Sequence, residues 1–127
     1  MYLISYGTRP ELIKLFPLIN IFKENNIDHK TIFTGQHEDL IKEFENLTHR
    51  PDFVLEKTMK HKQSINSLIY KIINESQKII NSYDCKVIIQ GDAASSFAVA
   101  LSAFNEGKEV IHVEAGLRTP ILRSPFP

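Results

Sequence analysis

Three short segments of this chain hold residue types that could bind an anion and move a proton. The first is Gly7-Thr8-Arg9-Pro10-Glu11, with Lys14 one turn further on. A glycine at a turn lets the backbone approach a ligand closely. A helix start offers free amide groups and a positive dipole end to an anion. Arg9 adds a planar cation suited to phosphate, and Lys14 is placed to reach the same region. A phosphate site fits these residues; an ordinary strand-to-helix turn with a surface arginine fits them too. The pattern Gly-x-Gly-x-x-Gly is absent, so no nicotinamide cofactor is invoked.

The second segment is Gln90-Gly91-Asp92, followed by Ala93-Ala94-Ser95-Ser96. Asp92 either points into a crevice or caps the next helix, a task aspartate performs well. The third segment runs from His112 through Glu114 and Gly116 to Arg118 and Thr119. His112 and Glu114 alternate with Val113, which puts them on one face of a strand. A carboxylate at a strand end, beside a glycine and an arginine, is a candidate acid or base. His-x-Glu also opens the zinc deaminase signature, but the paired cysteines are missing, so no metal is expected.

These segments need a scaffold that brings them together. Short apolar runs at 2–6, 29–34, 52–55, 86–90 and 109–113 read as strands. Helical periods fill 10–25, 38–47, 64–83 and 93–106 between them. Pro10 suits the first helical position, while Pro17 predicts a kink or break. Gly107 is placed to end the last helix. The alternation predicts an α/β fold, a Rossmann-like, mainly parallel sheet with helices on both faces. In such sheets ligands bind beyond the carboxyl ends of the strands. All three segments follow a predicted strand.

Composition narrows the function classes. The chain has 127 residues, enough for one domain. Fifteen basic and fifteen acidic residues give a formal net charge of zero. A nucleic-acid binder usually carries a basic excess, so none is expected here. Cys85 is the single cysteine and cannot form an internal disulfide, which points to the cytoplasm. At the entry to an apolar strand it reads as a small packing residue. No apolar run approaches the ~18 residues of a membrane span, and no signal-peptide pattern opens the chain.

In combination these motifs resemble a family. Gly7-Thr8-Arg9-Pro10-Glu11, Ile13-Lys14 and Pro17-Leu18-Ile19 look like the opening of non-hydrolysing UDP-N-acetylglucosamine 2-epimerases. Thr34-Gly35-Gln36-His37, Gln90-Gly91-Asp92, Glu106-Gly107 and the run from His112 to Thr119 follow in the family's order, and Ser124-Pro125-Phe126-Pro127 is similar to the start of a further motif. The resemblance spans the whole chain.

The resemblance implies the N-terminal half of a glycosyltransferase-B arrangement, two Rossmann-like domains with the substrate between them. It implies interconversion of UDP-N-acetylglucosamine and UDP-N-acetylmannosamine by elimination and re-addition of UDP, with no cofactor. By position, Asp92 and Glu114 match family catalytic carboxylates. Arg9, Lys14, His112 and Arg118 fall among substrate-binding positions. Gln36 and His37 match a neighbouring site where some bacterial members bind a second UDP-sugar as activator. Lys62 stands where those members have an arginine, keeping the charge without the planar fork. Family members are usually dimers, which implies a homodimer for the full-length enzyme. A further catalytic glutamate follows the proline matching Pro127, so the chain is expected to end inside an active-site motif, to lack the second domain and to turn over little alone.

Overall fold

Strand β1 (Tyr2–Tyr6) begins the chain, and helix α1 (Arg9–Glu24) follows it. β2 (His29–Phe33) and the two-residue β3 (Phe53–Val54) come next, then α2 (Ile65–Asn81), β4 (Lys86–Gln90), α3 (Ala94–Asn105) and β5 (Val110–Val113). The structure is a computed structural model that describes residues 1–35, 42, 50–55 and 62–123. The predicted helix over 38–47 apart from residue 42, together with Gln36, His37 and the motif at 124–127, lies outside the described residues.

All strand pairs are parallel, in the order β3-β2-β1-β4-β5. The chain lays β2 and β3 on one side of β1, then crosses to lay β4 and β5 on the other. The order therefore reverses between β1 and β4, the place where such sheets open a crevice.

Side-chain alternation divides the core in two. Leu3, Ile32, Val87 and Ile89 face one way, and meet Leu68, Ile72 and Ile80 of α2 and Ala98, Val99 and Ala103 of α3. Ile4, Tyr6, Phe33 and Ile88 face the other way, onto Leu12, Leu15, Ile19 and Phe22 of α1. Full burial of each large aliphatic side chain contributes about 1.5–3 kcal/mol. The small residues of α3 let it lie close to both the sheet and α2. Ser95, Ala98, Ser102 and Ala103 are all buried there. Ile65, by contrast, belongs to the apolar stripe of α2 in sequence and is exposed.

Helix ends follow local chemistry. Thr8 caps α1, accepting from the Glu11 amide, and Glu11 reaches back to the Thr8 amide. Arg9 is therefore the first helical residue and Pro10 the second. The predicted break at Pro17 does not occur, because α1 runs through it without interruption. Pro17 and Ile13 both lie on the exposed face, so water can reach the carbonyl that loses its partner. Ser64 caps α2 through the Ser67 amide at 3.1 Å. No helix among the described residues is long and apolar enough to cross a membrane.

Candidate active site

The carboxyl ends of β1, β4 and β5 surround a cleft of about 600 Å³. It collects all three segments. Thr8, Pro10, Glu11 and Lys14 line it from α1, Gln90, Gly91 and Asp92 from the end of β4, and His112, Glu114 and Arg118 from the end of β5.

The turn after β1 is built around Glu11. This carboxylate is 4% exposed. Its Oε2 accepts the backbone N–H groups of Gly7 at 2.7 Å and Thr8 at 2.6 Å. Its Oε1 lies 2.5 Å from the Ser96 hydroxyl. Ser96 Oγ is also 2.7 Å from the Gln90 carbonyl, so one hydroxyl sits at the junction of α1, β4 and α3. Gly7 is required for closeness. A Cβ there would lie 2.1 Å from Thr34 Oγ1 and 3.0 Å from Ser95 Oγ.

Asp92 is exposed and faces the cleft. It is not the cap of α3. That position belongs to Ala93, which offers no side-chain hydrogen bond. Gly91 makes the turn with φ +73°, and its carbonyl accepts from His112 Nε2 at 2.7 Å. A carbonyl only accepts, so this contact puts the His112 proton on Nε2.

Glu114 arrives by a route that alternation does not predict. β5 ends at Val113, and Glu114 takes a left-handed backbone with φ +62°. That conformation is uncommon for a residue with a side chain and recurs at functional sites. In β5, Val110 packs on the α2 and α3 side, whereas Ile111 and Val113 pack on the α1 side. Continued alternation would keep Glu114 on the α3 side with His112. Instead, Glu114 Oε2 accepts from Lys14 Nζ of α1 and from Gln90 Nε2. The expected shared strand face is thus replaced by a turn, although both residues line one cleft.

Other predicted residues divide. Lys14 is half exposed and paired with Glu114. Arg118 is exposed at the cleft, and its guanidinium donates to the Leu117 carbonyl at 3.1 Å. Arg9 is exposed and stands beside the cleft rather than in its lining. Lys62 is exposed in a turn with φ +60° and does not line the cleft. Burial pushes the Cys85 thiol above its usual range, in keeping with a packing residue. Among the described residues, no group of three or more histidines, cysteines, aspartates or glutamates is arranged to hold a metal ion.

A sequence model described as UDP-N-acetylglucosamine 2-epimerase matches residues 20–127. The chain belongs to the UDP-N-acetylglucosamine 2-epimerase family. A family member from Salmonella borreze is 39% identical over 128 residues, covering 98% of this chain and 34% of the relative. The Campylobacter jejuni UDP-N-acetylglucosamine 2-epimerase is 33% identical, covering 98% of this chain and 33% of its own length. The solved structure of UDP-GlcNAc 2-epimerase from Neisseria meningitidis, bound to UDP-GlcNAc, superposes with a TM-score of 0.88 at 33% identity, covering 99% of this chain and 35% of that one. The chain therefore spans about a third of the length of the epimerases it matches.

Within this epimerase-family cleft, the residues that sequence reasoning passed over are Glu11, Ser96 and the Gln90 side chain. Two of them left a signal. Thr8-x-x-Glu11 is a capping box in plain sight. A polar Gln90 closing the apolar run Val87-Ile88-Ile89 marks a strand end with work for an amide.

Proposed function

We propose that this chain forms one wall of the active site of a UDP-N-acetylglucosamine 2-epimerase, as the N-terminal domain of a longer two-domain enzyme. The observation that carries the reading is the pairing of Glu114 with Lys14 in the cleft that Asp92 also lines, at the sheet's reversal point.

The reaction is an elimination followed by re-addition. A carboxylate removes the C2 proton of the sugar. The C2–H electron pair becomes the second bond between C1 and C2. The C1–O bond breaks, and UDP leaves with its electron pair. In the return step a UDP oxygen re-forms the bond to C1, and a proton is delivered to C2 on the opposite face. Asp92 and Glu114 act as the acid and base. Lys14 and Arg118, with Arg9 beside the cleft, supply cations for the diphosphate. A shared wall holding both carboxylates and cations is what lets proton removal and departure of an anion occur together.

The test uses a full-length protein that carries this chain. Asp92→Asn and Glu114→Gln should each lower turnover and solvent deuterium entry at C2 by about 10²–10⁴-fold, the usual contribution of a positioned acid or base. Wild-type rates in both variants would overturn the assignment. Product analysis separates the outcomes of the elimination: the UDP-linked epimer marks re-addition, while free N-acetylmannosamine marks interception by water.

A further inference from the structure

Glu114 is held through one oxygen. Lys14 Nζ and Gln90 Nε2 both donate to Oε2, and among the described residues none donates to Oε1. The two donors are unlike. Lys14 lies half exposed at the cleft on a long flexible stem, able to turn toward an incoming phosphate. Gln90 is 3% exposed and closes the buried strand β4. Its backbone carbonyl faces the Ser96 hydroxyl at 2.7 Å, and that hydroxyl meets the buried Glu11. Gln90 is therefore fixed to the scaffold in a way Lys14 is not.

We propose that Gln90 is a positioning residue: its amide fixes Glu114 Oε2 so that Oε1 is the oxygen presented to the proton in transfer. This rests on the reading of Glu114 as a proton-transfer carboxylate. Three further points carry it. Glu114 stands on an uncommon left-handed backbone, which needs surrounding contacts to hold it. A glutamate side chain has three rotatable bonds, and fixing such a chain costs up to about 2 kcal/mol of rotamer freedom. A neutral amide also orients the carboxylate without placing a second cation beside Lys14.

The experiment compares Gln90→Met, Gln90→Glu and Glu114→Gln in a full-length protein carrying this chain, with thermal melts to check folding. Gln90→Met keeps the shape and removes the donor. It should lower kcat about 10–100-fold, the scale of a misplaced catalytic group, with KM changed less than about threefold and C2 deuterium entry falling in parallel. Gln90→Glu gives the sharper signature. Its introduced carboxyl group can donate to Glu114 only when protonated, so activity should recover relative to wild type as pH falls. A role in folding alone would not produce that profile. A kcat within twofold of wild type for Gln90→Met, or an unchanged pH profile for Gln90→Glu, would overturn the inference. If Glu114→Gln is itself active, the proton-transfer role of Glu114 is wrong and the role of Gln90 falls with it. If Glu114→Gln is inactive while Gln90→Met is normal, only the inference about Gln90 fails.

Discussion

The Ser96 hydroxyl lies 2.5 Å from the buried Glu11 carboxylate, joining two residues 85 positions apart in the chain. One end of that contact fixes the turn after β1, through the two amides on Glu11 Oε2. The other end fixes the last residue of β4.

Glu11→Ala should be among the most damaging single changes in the α1 turn. It leaves the Gly7 and Thr8 amides without their acceptor and the Ser96 hydroxyl with the Gln90 carbonyl alone. An unsatisfied buried polar group costs about 1–3 kcal/mol. Urea denaturation should show a loss of about 3 kcal/mol or more. Glu11→Gln keeps an acceptor oxygen and should lose less than half as much. Equal stability of the two variants would show that the carboxylate is not acting as an acceptor hub.

Gly7→Ala introduces a carbon 2.1 Å from Thr34 Oγ1. Thr34 is fully buried and has little room to retreat. Overpacking of this kind costs about 1–3 kcal/mol. Combining it with Thr34→Ala should recover part of the loss, giving a coupling energy of about 0.5–3 kcal/mol in a double-mutant cycle. Strictly additive effects would mean that the clash is relieved by a backbone shift instead.

Alkaline pH should expose the role of Tyr6. Burial pushes its phenol up to about 12 from 10.0. A hydrogen bond with Thr31 opposes that rise, and the negative charge of Asp52 adds to it. The folded state keeps the proton at a pH where the unfolded chain releases it. The stability from this group is therefore intact below about pH 10 and lost as pH rises through the folded value near 12. The loss is on the order of 2 kcal/mol. Tyr6→Phe has no such titration. Its stability deficit against wild type, measured by urea midpoints, should shrink between pH 10 and 12. A constant deficit would count against the shifted phenol.

The scaffold was largely legible because each strand is a short apolar run and each helix carries a 3.6-residue period. Lys86 to Gln90 was bounded by a charge and an amide, and the helical period beginning at Ser64 marked the start of α2. Pro17 suggested a kink or a break; no break follows, because the cost of a helical proline depends on which face the freed carbonyl points to. The clustering of the three segments followed from the rule about strand ends. The internal wiring of the cleft did not. Nothing in the residue type of Glu114 announces a left-handed backbone, and alternation assigned its carboxylate to the wrong side of β5. Nothing in the Gly7-to-Glu11 segment announces that Glu11 is buried, because that burial depends on α3 and β4, which lie some 80 residues away.

The position of β5 in the sheet has a consequence for how the site fails. It is the last strand in the order and is bonded only to β4 among the described strands. Such a strand can peel away in a partial opening that leaves the rest of the sheet intact. Glu114 would leave with it, while Asp92 and the α1 turn stayed in place. In this 127-residue chain by itself, warming or mild denaturant should therefore pull the cleft wall apart before the bulk of the molecule melts, and hydrogen exchange at β5 amides would be the earliest sign of it.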